Sequence, residues 1–205
     1  MSVLIIDYGM GNLASVRRAF EEAGAHVFIS NDPSDMADAE RLVLPGVGAF
    51  HDAMEALREK GWDKAIKQAA LKDGLPVLGI CLGMQLLAEM GTEGGETQGL
   101  GLIPGRVIRL EPVHGKERIP HVGWNEVHFQ GPHSLFDGIE KGTDFYFVHS
   151  YHFVPHDKEN ALAITPYCGS FVSVVGRGTV LGTQFHPEKS SKAGLRLLKN
   201  FLKIK

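Results

Sequence analysis

Cysteine is scarce: 205 residues hold two, Cys81 and Cys168, far apart in the chain. That excludes a disulfide framework and a CxxC metal pair, and it fits a reducing cytoplasm. Basic clusters are missing as well; 21 Lys+Arg stand against 24 Asp+Glu, a formal net charge of -3. A chain without a basic stripe is a poor match for nucleic acid or an anionic membrane. No apolar run approaches the roughly 20 residues that span a bilayer. Met1 to Leu4 opens as a strand, not as a basic region leading into a hydrophobic signal core. Repeats, low-complexity tracts and linkers are also absent. Residues 1–205 therefore read as a single domain, and a 43% apolar content is enough for one well-buried α/β core.

What is present begins with a strand–helix rhythm. Val3 to Asp7 is an apolar strand, Asn12 to Ala23 a helix with Leu13, Val16 and Phe20 inward, and Gly24 its stop. His26 to Ile29 and Leu42 to Leu44 are further strands, His51 to Lys60 and Asp63 to Lys72 helices, and Pro76 to Ile80 a fourth strand. Such alternation predicts a doubly wound, mostly parallel sheet with helices on both faces. Leu82 to Met90 follows as a helix carrying Leu82, Leu86, Leu87 and Met90. Gly91 to Gly105 holds six glycines and reads as loop; it lacks the Lys-Ser/Thr ending of a phosphate loop. Additional C-terminal β segments come next: Arg106 to Leu110, Asn125 to Phe129, Phe145 to Val154, Ala161 to Thr165, Phe171 to Val175 and Thr179 to Phe185. Gly176-Arg177-Gly178 is the expected hairpin turn, and Ser190 to Ile204 a closing helix with Leu195, Leu198 and Leu202 on one face.

Cys81 is placed for chemistry. It follows a buried strand directly and precedes a helix, with Gly79 and Gly83 on either side. Glycines there let strand and helix close up and let the turn residue take a strained backbone, the geometry of a nucleophile elbow. Amide dipoles at a helix start favour a thiolate, and the Leu82 amide would point at whatever the sulfur attacks. A cysteine packed at a strand end would look similar in isolation. A thiolate also needs a base and the base an orienter. Of ten histidines, His186 stands out, because Pro187 forces it extended and Glu188 lies two residues on, on the same face of an extended chain. A second oxyanion donor is available in Pro45-Gly46-Val47-Gly48, at the carboxyl end of the third strand, from the amide of Val47 or of Gly48.

Gly-Ile-Cys81-Leu-Gly-Met-Gln85 with a distant Phe-His186-Pro-Glu188 resembles the triad-type (class I) glutamine amidotransferases. Asp7-Tyr8-Gly9-Met10-Gly11-Asn12-Leu13, Leu44 to Phe50, Pro120 to Asn125, Tyr146 to Tyr151 and Gln184 to Ser190 look, more narrowly, like the family of glutaminase subunits that serve imidazole glycerol phosphate synthases. The likeness runs from residue 7 to residue 190. It implies that Cys81 forms a γ-glutamyl thioester with L-glutamine, that His186 moves the protons and that Glu188 orients His186. It implies that Gln85, Ser150 and Tyr151 hold the substrate's amino-acid head, beside Val47, Gly48 and Leu82 at the oxyanion. No cofactor and no metal are implied. The implied partner is a (β/α)-barrel cyclase subunit, forming a cytoplasmic heterodimer. That subunit joins the ammonia to a phosphorylated ribulosyl nucleotide, making imidazole glycerol phosphate and AICAR in histidine biosynthesis. The docking face would include Asn12, Trp124, Asn125, Tyr146 and Lys189. A glutaminase subunit of an anthranilate or aminodeoxychorismate synthase is the alternative, and Pro45-Gly46-Val47-Gly48 with Trp124-Asn125 argues against it. Gly9-Met10-Gly11-Asn12-Leu13-Ala14 also resembles a dinucleotide fingerprint, but Asp7 would crowd a pyrophosphate and the late strands would have no role. His149 and His152, three apart in a strand-like stretch, are expected on opposite faces and so are discounted as a metal pair.

Overall fold

The structure, a computed structural model, describes residues 1–113, 115 and 117–205. The first half builds parallel strands. β1 (Ser2–Ile6) leads to α1 (Leu13–Glu22), whose first turn is capped by the Asn12 side chain accepting from the Ser15 amide at 3.3 Å. β2 (His26–Ser30), β3 (Arg41–Leu44), α2 (Phe50–Glu59), α3 (Trp62–Leu71), β4 (Val77–Ile80) and the short α4 (Leu82–Leu86) follow. The second half is nearly all β: β5 (Met90–Gly91), β6 (Thr97–Gln98), β7 (Gly105–Arg109), β8 (His121–Phe129), β9 (Thr143–His149), β10 (Tyr151–Pro155), β11 (Ala161–Thr165), β12 (Phe171–Arg177) and β13 (Val180–Thr183). α5 (Ser191–Phe201) closes the chain.

One path of strands runs β2-β1-β3-β4-β13-β12-β10-β7-β5-β6, with β11, β8 and β9 branching from β12. β2, β1, β3, β4 and β13 are parallel neighbours; from β12 onward antiparallel pairing predominates. Strand alternation divides the core between two faces. Leu4 and Ile6 pack with Phe50, Leu57, Trp62 and Ile66 of α2 and α3, whereas Val3 and Ile5 pack with Val16, Phe20, Leu197 and Phe201 of α1 and α5. Strands buried on both sides read as continuous apolar runs, which is why β1, β3 and β4 are visible in the sequence. Among the described residues, no helix is long and apolar enough to cross a membrane.

Several boundaries differ from the sequence reading. The helix expected to Met90 ends at Leu86, because the carbonyls of Leu86, Leu87 and Ala88 accept from Leu100, Leu102 and Gly101. Those bonds satisfy the helix end, and Met90–Gly91 is released to pair with β6 and β7 inside the stretch read as plain loop. The expected strand Phe145 to Val154 is two, β9 and β10, broken at Ser150. β8 starts four residues earlier than Asn125. The hairpin turn is Gly178-Thr179, since Gly176 and Arg177 still pair with Leu181 and Val180. In α5 the inward face is Leu197, Leu198 and Phe201 beside Leu202, with Leu195 only half-buried. Gly194 sets that rotation: a Cβ there would collide with the Pro187 carbonyl.

Candidate active site

β4 and β13 lie side by side with Gly79 opposite Gly182 and Ile80 opposite Thr183. The last strand in sequence thereby delivers Gln184 to His186 beside the turn after β4. Cys81 occupies that turn at φ 55°, ψ -109°, a left-handed backbone for a residue with a side chain. Such a conformation costs on the order of 1–3 kcal/mol and persists only where its surroundings enforce it. Here the Cys81 amide donates to the Thr183 carbonyl at 2.8 Å and its carbonyl accepts from the Gln85 amide at 3.2 Å. The two flanking glycines are required by contact. A Cβ on Gly83 would run into the Leu44 carbonyl, and one on Gly79 would lie 2.5 Å from the Gly83 carbonyl oxygen.

His186 is buried, with φ -97° and ψ 96°, the extended state that Pro187 demands. Its Nδ1 bonds Glu188 Oε1 at 2.7 Å. The reason differs from the sequence reading: Glu188 sits in a 3₁₀ turn, Pro187–Lys189, that folds its carboxylate back, not on a continuing strand. His186 Nε2 has no aligned hydrogen bond, although the Cys81 sulfur is its electrostatic neighbour. Burial lowers the imidazole's pKa, but the Cys81 sulfur and the Glu188 carboxylate outweigh burial and raise it to about 10. The ring is therefore an imidazolium at neutral pH, a proton donor held between a sulfur and a carboxylate.

A cavity of about 260 Å³ opens over these groups. Cys81, Leu82, Gln85, Ser150, Tyr151 and His186 line it, and the exposed Val47 and Gly48 form its lip. The structure thus brings together the triad candidates with all six sequence-expected oxyanion and substrate-contact residues. Gly48 sits at φ 115°, where a Cβ would lie 2.6 Å from Met10 Cε. Behind it, Pro45 is held by the Tyr8 hydroxyl, which donates to its carbonyl at 2.9 Å. Desolvation raises the Tyr8 pKa, so this anchor stays a donor. Gln85 donates from Nε2 to the Tyr151 carbonyl at 2.9 Å and to Gln184 Oε1 at 3.1 Å.

Sequence reasoning passed over four cavity-side residues. Glu93 lines the cavity and accepts from the Phe50 amide at 2.9 Å; nothing in the glycine-rich stretch around it marked it. Gln184, whose Nε2 donates to Cys81 Sγ at 3.7 Å, lies two residues before His186, and strand alternation could have found it. Val148, whose carbonyl accepts from the Cys81 thiol at 3.7 Å, and His149 also line the cavity. His149 and His152 are not on opposite faces: the break at Ser150 turns both rings onto Phe171, at 4.7 and 6.2 Å. Among the described residues, no group of three or more His, Cys, Asp or Glu is arranged to hold a metal. Cys168 is away from the cavity, and burial followed by Glu117 raises its thiol pKa.

Beside the cavity, β8 and β9 present an outward rung of Val122, Val148, Trp124 and Tyr146; Trp124 is 53% exposed. The Trp124 and Tyr146 rings meet edge to face at 6.1 Å, and Lys189 Nζ lies 5.7 Å from the Tyr146 ring. Asn125 is half-buried next to Trp124, and Asn12 is exposed with its side chain committed to capping α1.

Comparison with known proteins gives one direction. The family model described as glutamine amidotransferase class-I matches residues 4–204. The chain is 51% identical over 199 residues to the imidazole glycerol phosphate synthase subunit HisH of Moorella thermoacetica, covering 97% of this chain and 93% of that one. It is 52% identical over 199 residues to the subunit of the same name from Symbiobacterium thermophilum, covering 97% and 92%. Among solved structures, PurLQS from Thermotoga maritima shares the fold with a TM-score of 0.77 at 21% identity, over 98% of this chain and 97% of that one.

Proposed function

The chain belongs to the class-I glutamine amidotransferase family, and from that premise we propose that it is the glutamine-hydrolysing subunit of an imidazole glycerol phosphate synthase. It supplies ammonia to a (β/α)-barrel cyclase subunit in histidine biosynthesis, as a heterodimer in the cytoplasm, with residues 1–205 acting as one catalytic domain. One observation carries the chemistry: a cysteine in a left-handed turn shares a cavity with a histidine whose far nitrogen is 2.7 Å from a buried carboxylate.

Each group then has one task. Cys81 attacks the side-chain carbonyl carbon of glutamine as the thiolate, its proton already on His186, and the carbonyl oxygen becomes an oxyanion. The Leu82 amide and an amide of the Val47-Gly48 lip receive that charge. His186 gives its Nε2 proton to the leaving nitrogen, the C–N bond breaks, ammonia departs and a γ-glutamyl thioester remains. The neutral imidazole then takes a proton from water, the hydroxyl adds to the thioester, and collapse releases glutamate and regenerates the pair. Glu188 holds the ring and stabilises its charged form without receiving the proton. Gln85, Ser150 and Tyr151 seat the amino-acid head, and no cofactor takes part. The face carrying Trp124, Asn125, Tyr146 and Lys189, with Asn12, docks the cyclase.

Ammonia made without an acceptor is wasted, so the resting site gains from an incomplete oxyanion hole. One absent donor lowers turnover by roughly 10²- to 10³-fold. Gly46 and Gly48 make rotation of the peptide between them cheap. Glutamate release should therefore be slow for the chain alone and rise mainly in kcat when the cyclase and its nucleotide ligand are added. Steady-state assays under the three conditions test this. Equal turnover in all three would overturn the activation, and no glutamate in any would overturn the glutaminase reading.

A further inference from the structure

From the cavity wall inward runs a buried histidine pair that the proposed reaction does not use. His121 on β8 and His149 on β9 are cross-strand partners, each no more than 5% exposed. Their rings are joined from His121 Nδ1 to His149 Nε2 at 3.0 Å. His149 Nδ1 reaches the Tyr151 carbonyl at 2.8 Å, and the Asn125 amide nitrogen reaches His121 Nε2 at 3.3 Å.

The proton positions follow from the two ends. A carbonyl only accepts, so His149 must carry its proton on Nδ1 and accept at Nε2. His121 must then donate from Nδ1 and accept at Nε2, which is what the Asn125 NH₂ supplies. Asn125 is oriented in turn by its Oδ1, which accepts from the Glu126 amide at 2.9 Å. A backbone donor at one end and a backbone acceptor at the other leave one proton arrangement for the neutral chain. Burial keeps it neutral, lowering the His121 pKa to about 4 and that of His149 to about 3. Stacking of His121 on Tyr167, with ring centres 4.0 Å apart, fixes the plane of the first ring.

The chain ends on an atom that matters to the cavity. The Tyr151 carbonyl also accepts from Gln85 Nε2, whose second bond orients Gln184 toward the Cys81 sulfur. We propose that His121 and His149 are positioning residues: a hydrogen-bonded chain with one proton order, set at the half-buried Asn125 of β8, fixes the Tyr151 carbonyl and thereby the Gln85 amide of the glutamine pocket. This rests on the glutaminase reading and adds a connection from β8, the strand that also carries Trp124, to the substrate. Asn125 stands beside the exposed Trp124.

The test uses the full chain with ¹⁵N-labelled histidine. Long-range ¹H–¹⁵N spectra at pH 7 should show both imidazoles as Nδ1–H tautomers. Asn125→Asp replaces the donor to His121 by an acceptor of the same shape and should move His121 to the Nε2–H or doubly protonated form. Glutamine binding is read as protection of Cys81 from iodoacetamide. The half-protecting concentration should rise about fivefold in Asn125→Asp and in His121→Phe, the worth of roughly one neutral hydrogen bond. His121→Phe keeps the ring stack, and alkylation without glutamine should be unchanged in both, which general loosening of the fold would not allow. An Nε2–H tautomer at either position in the unmodified chain, or unaltered protection in both variants, overturns the proposal. If a variant fails to fold, the tautomers of the unmodified chain still decide. Lack of glutamine protection in the unmodified chain would overturn the glutaminase reading, whatever the tautomers show.

Discussion

Glu188 is only 1% exposed at its side chain, and just one of its oxygens, Oε1, has a partner, His186; Oε2 has none. A buried carboxylate is costly unless it is matched by a charge, so the pair depends on His186 remaining an imidazolium. Glu188→Gln removes the matching charge but keeps a group able to touch Nδ1. It should lower kcat by roughly 10²- to 10⁴-fold, the range for an orienting member of a triad, with Cys81→Ala losing more. Glutamate release by both variants, with circular dichroism as the folding control, checks the order. Equal losses in folded proteins would contradict the orienting role. The chemistry of this site was legible in single residues because it is local. A cysteine between two glycines after a buried run, and a His-Pro-Glu, announce their backbone states through sterics alone. Glu93 was not legible in the same way, since its significance comes from where remote segments meet.

At the scale of elements, β3, β4 and α4 are packed backbone to backbone. Gly83→Ala would force a methyl group against the Leu44 carbonyl of β3. Overpacking of this kind costs typically 1–3 kcal/mol, and sometimes more where backbone is the obstacle. Urea unfolding of Gly83→Ala should show a midpoint lowered accordingly, whereas Gly94→Ala, at an open position with φ 70°, tests backbone strain alone. A larger loss at Gly94 than at Gly83 would contradict the packing account. The parallel elements could be read to within one or two residues because each is buried on both faces or bears an amphipathic stripe. The antiparallel half was read less well. β9 and β10 join without a turn signal, the break at Ser150 leaves no compositional trace, and so the alternation that placed His149 and His152 failed there. Met90 failed for a related reason: its spacing suits a helix, but a later loop takes the helix-end carbonyls.

The whole molecule carries a pH dependence set by its buried imidazoles. His121 and His149 are held at about 4 and about 3, below the ordinary value of 6.5. Below pH 6.5 the unfolded chain binds protons that the folded chain refuses, so stability is full above 6.5 and falls as pH drops toward 4. These two groups account for about 3 kcal/mol at pH 5.5, and His152, which burial also lowers to about 4, adds to the loss. His186, raised to about 10, works in the opposite window: its contribution is intact below 6.5 and fades as pH rises through 10, so it does not offset the acid loss. Urea midpoints at pH 7 and pH 5.5 should differ by this order, and by less in His121→Phe. Midpoints independent of pH over that interval would contradict the neutral state of the pair.

The position of β13 has a consequence for how the protein comes into being. The twelfth strand and the fourth are bridged by the one made last, so the middle of the sheet stays open until residues near 183 have been synthesised. A ribosome holding an unfinished chain holds an unclosed sheet, with Cys81 made and His186 still to come. Hydrolysis of glutamine therefore cannot begin on a chain that stops short of His186. The same order of assembly makes folding wait on contacts about a hundred residues apart, the long-range pairing that slows β-rich topologies.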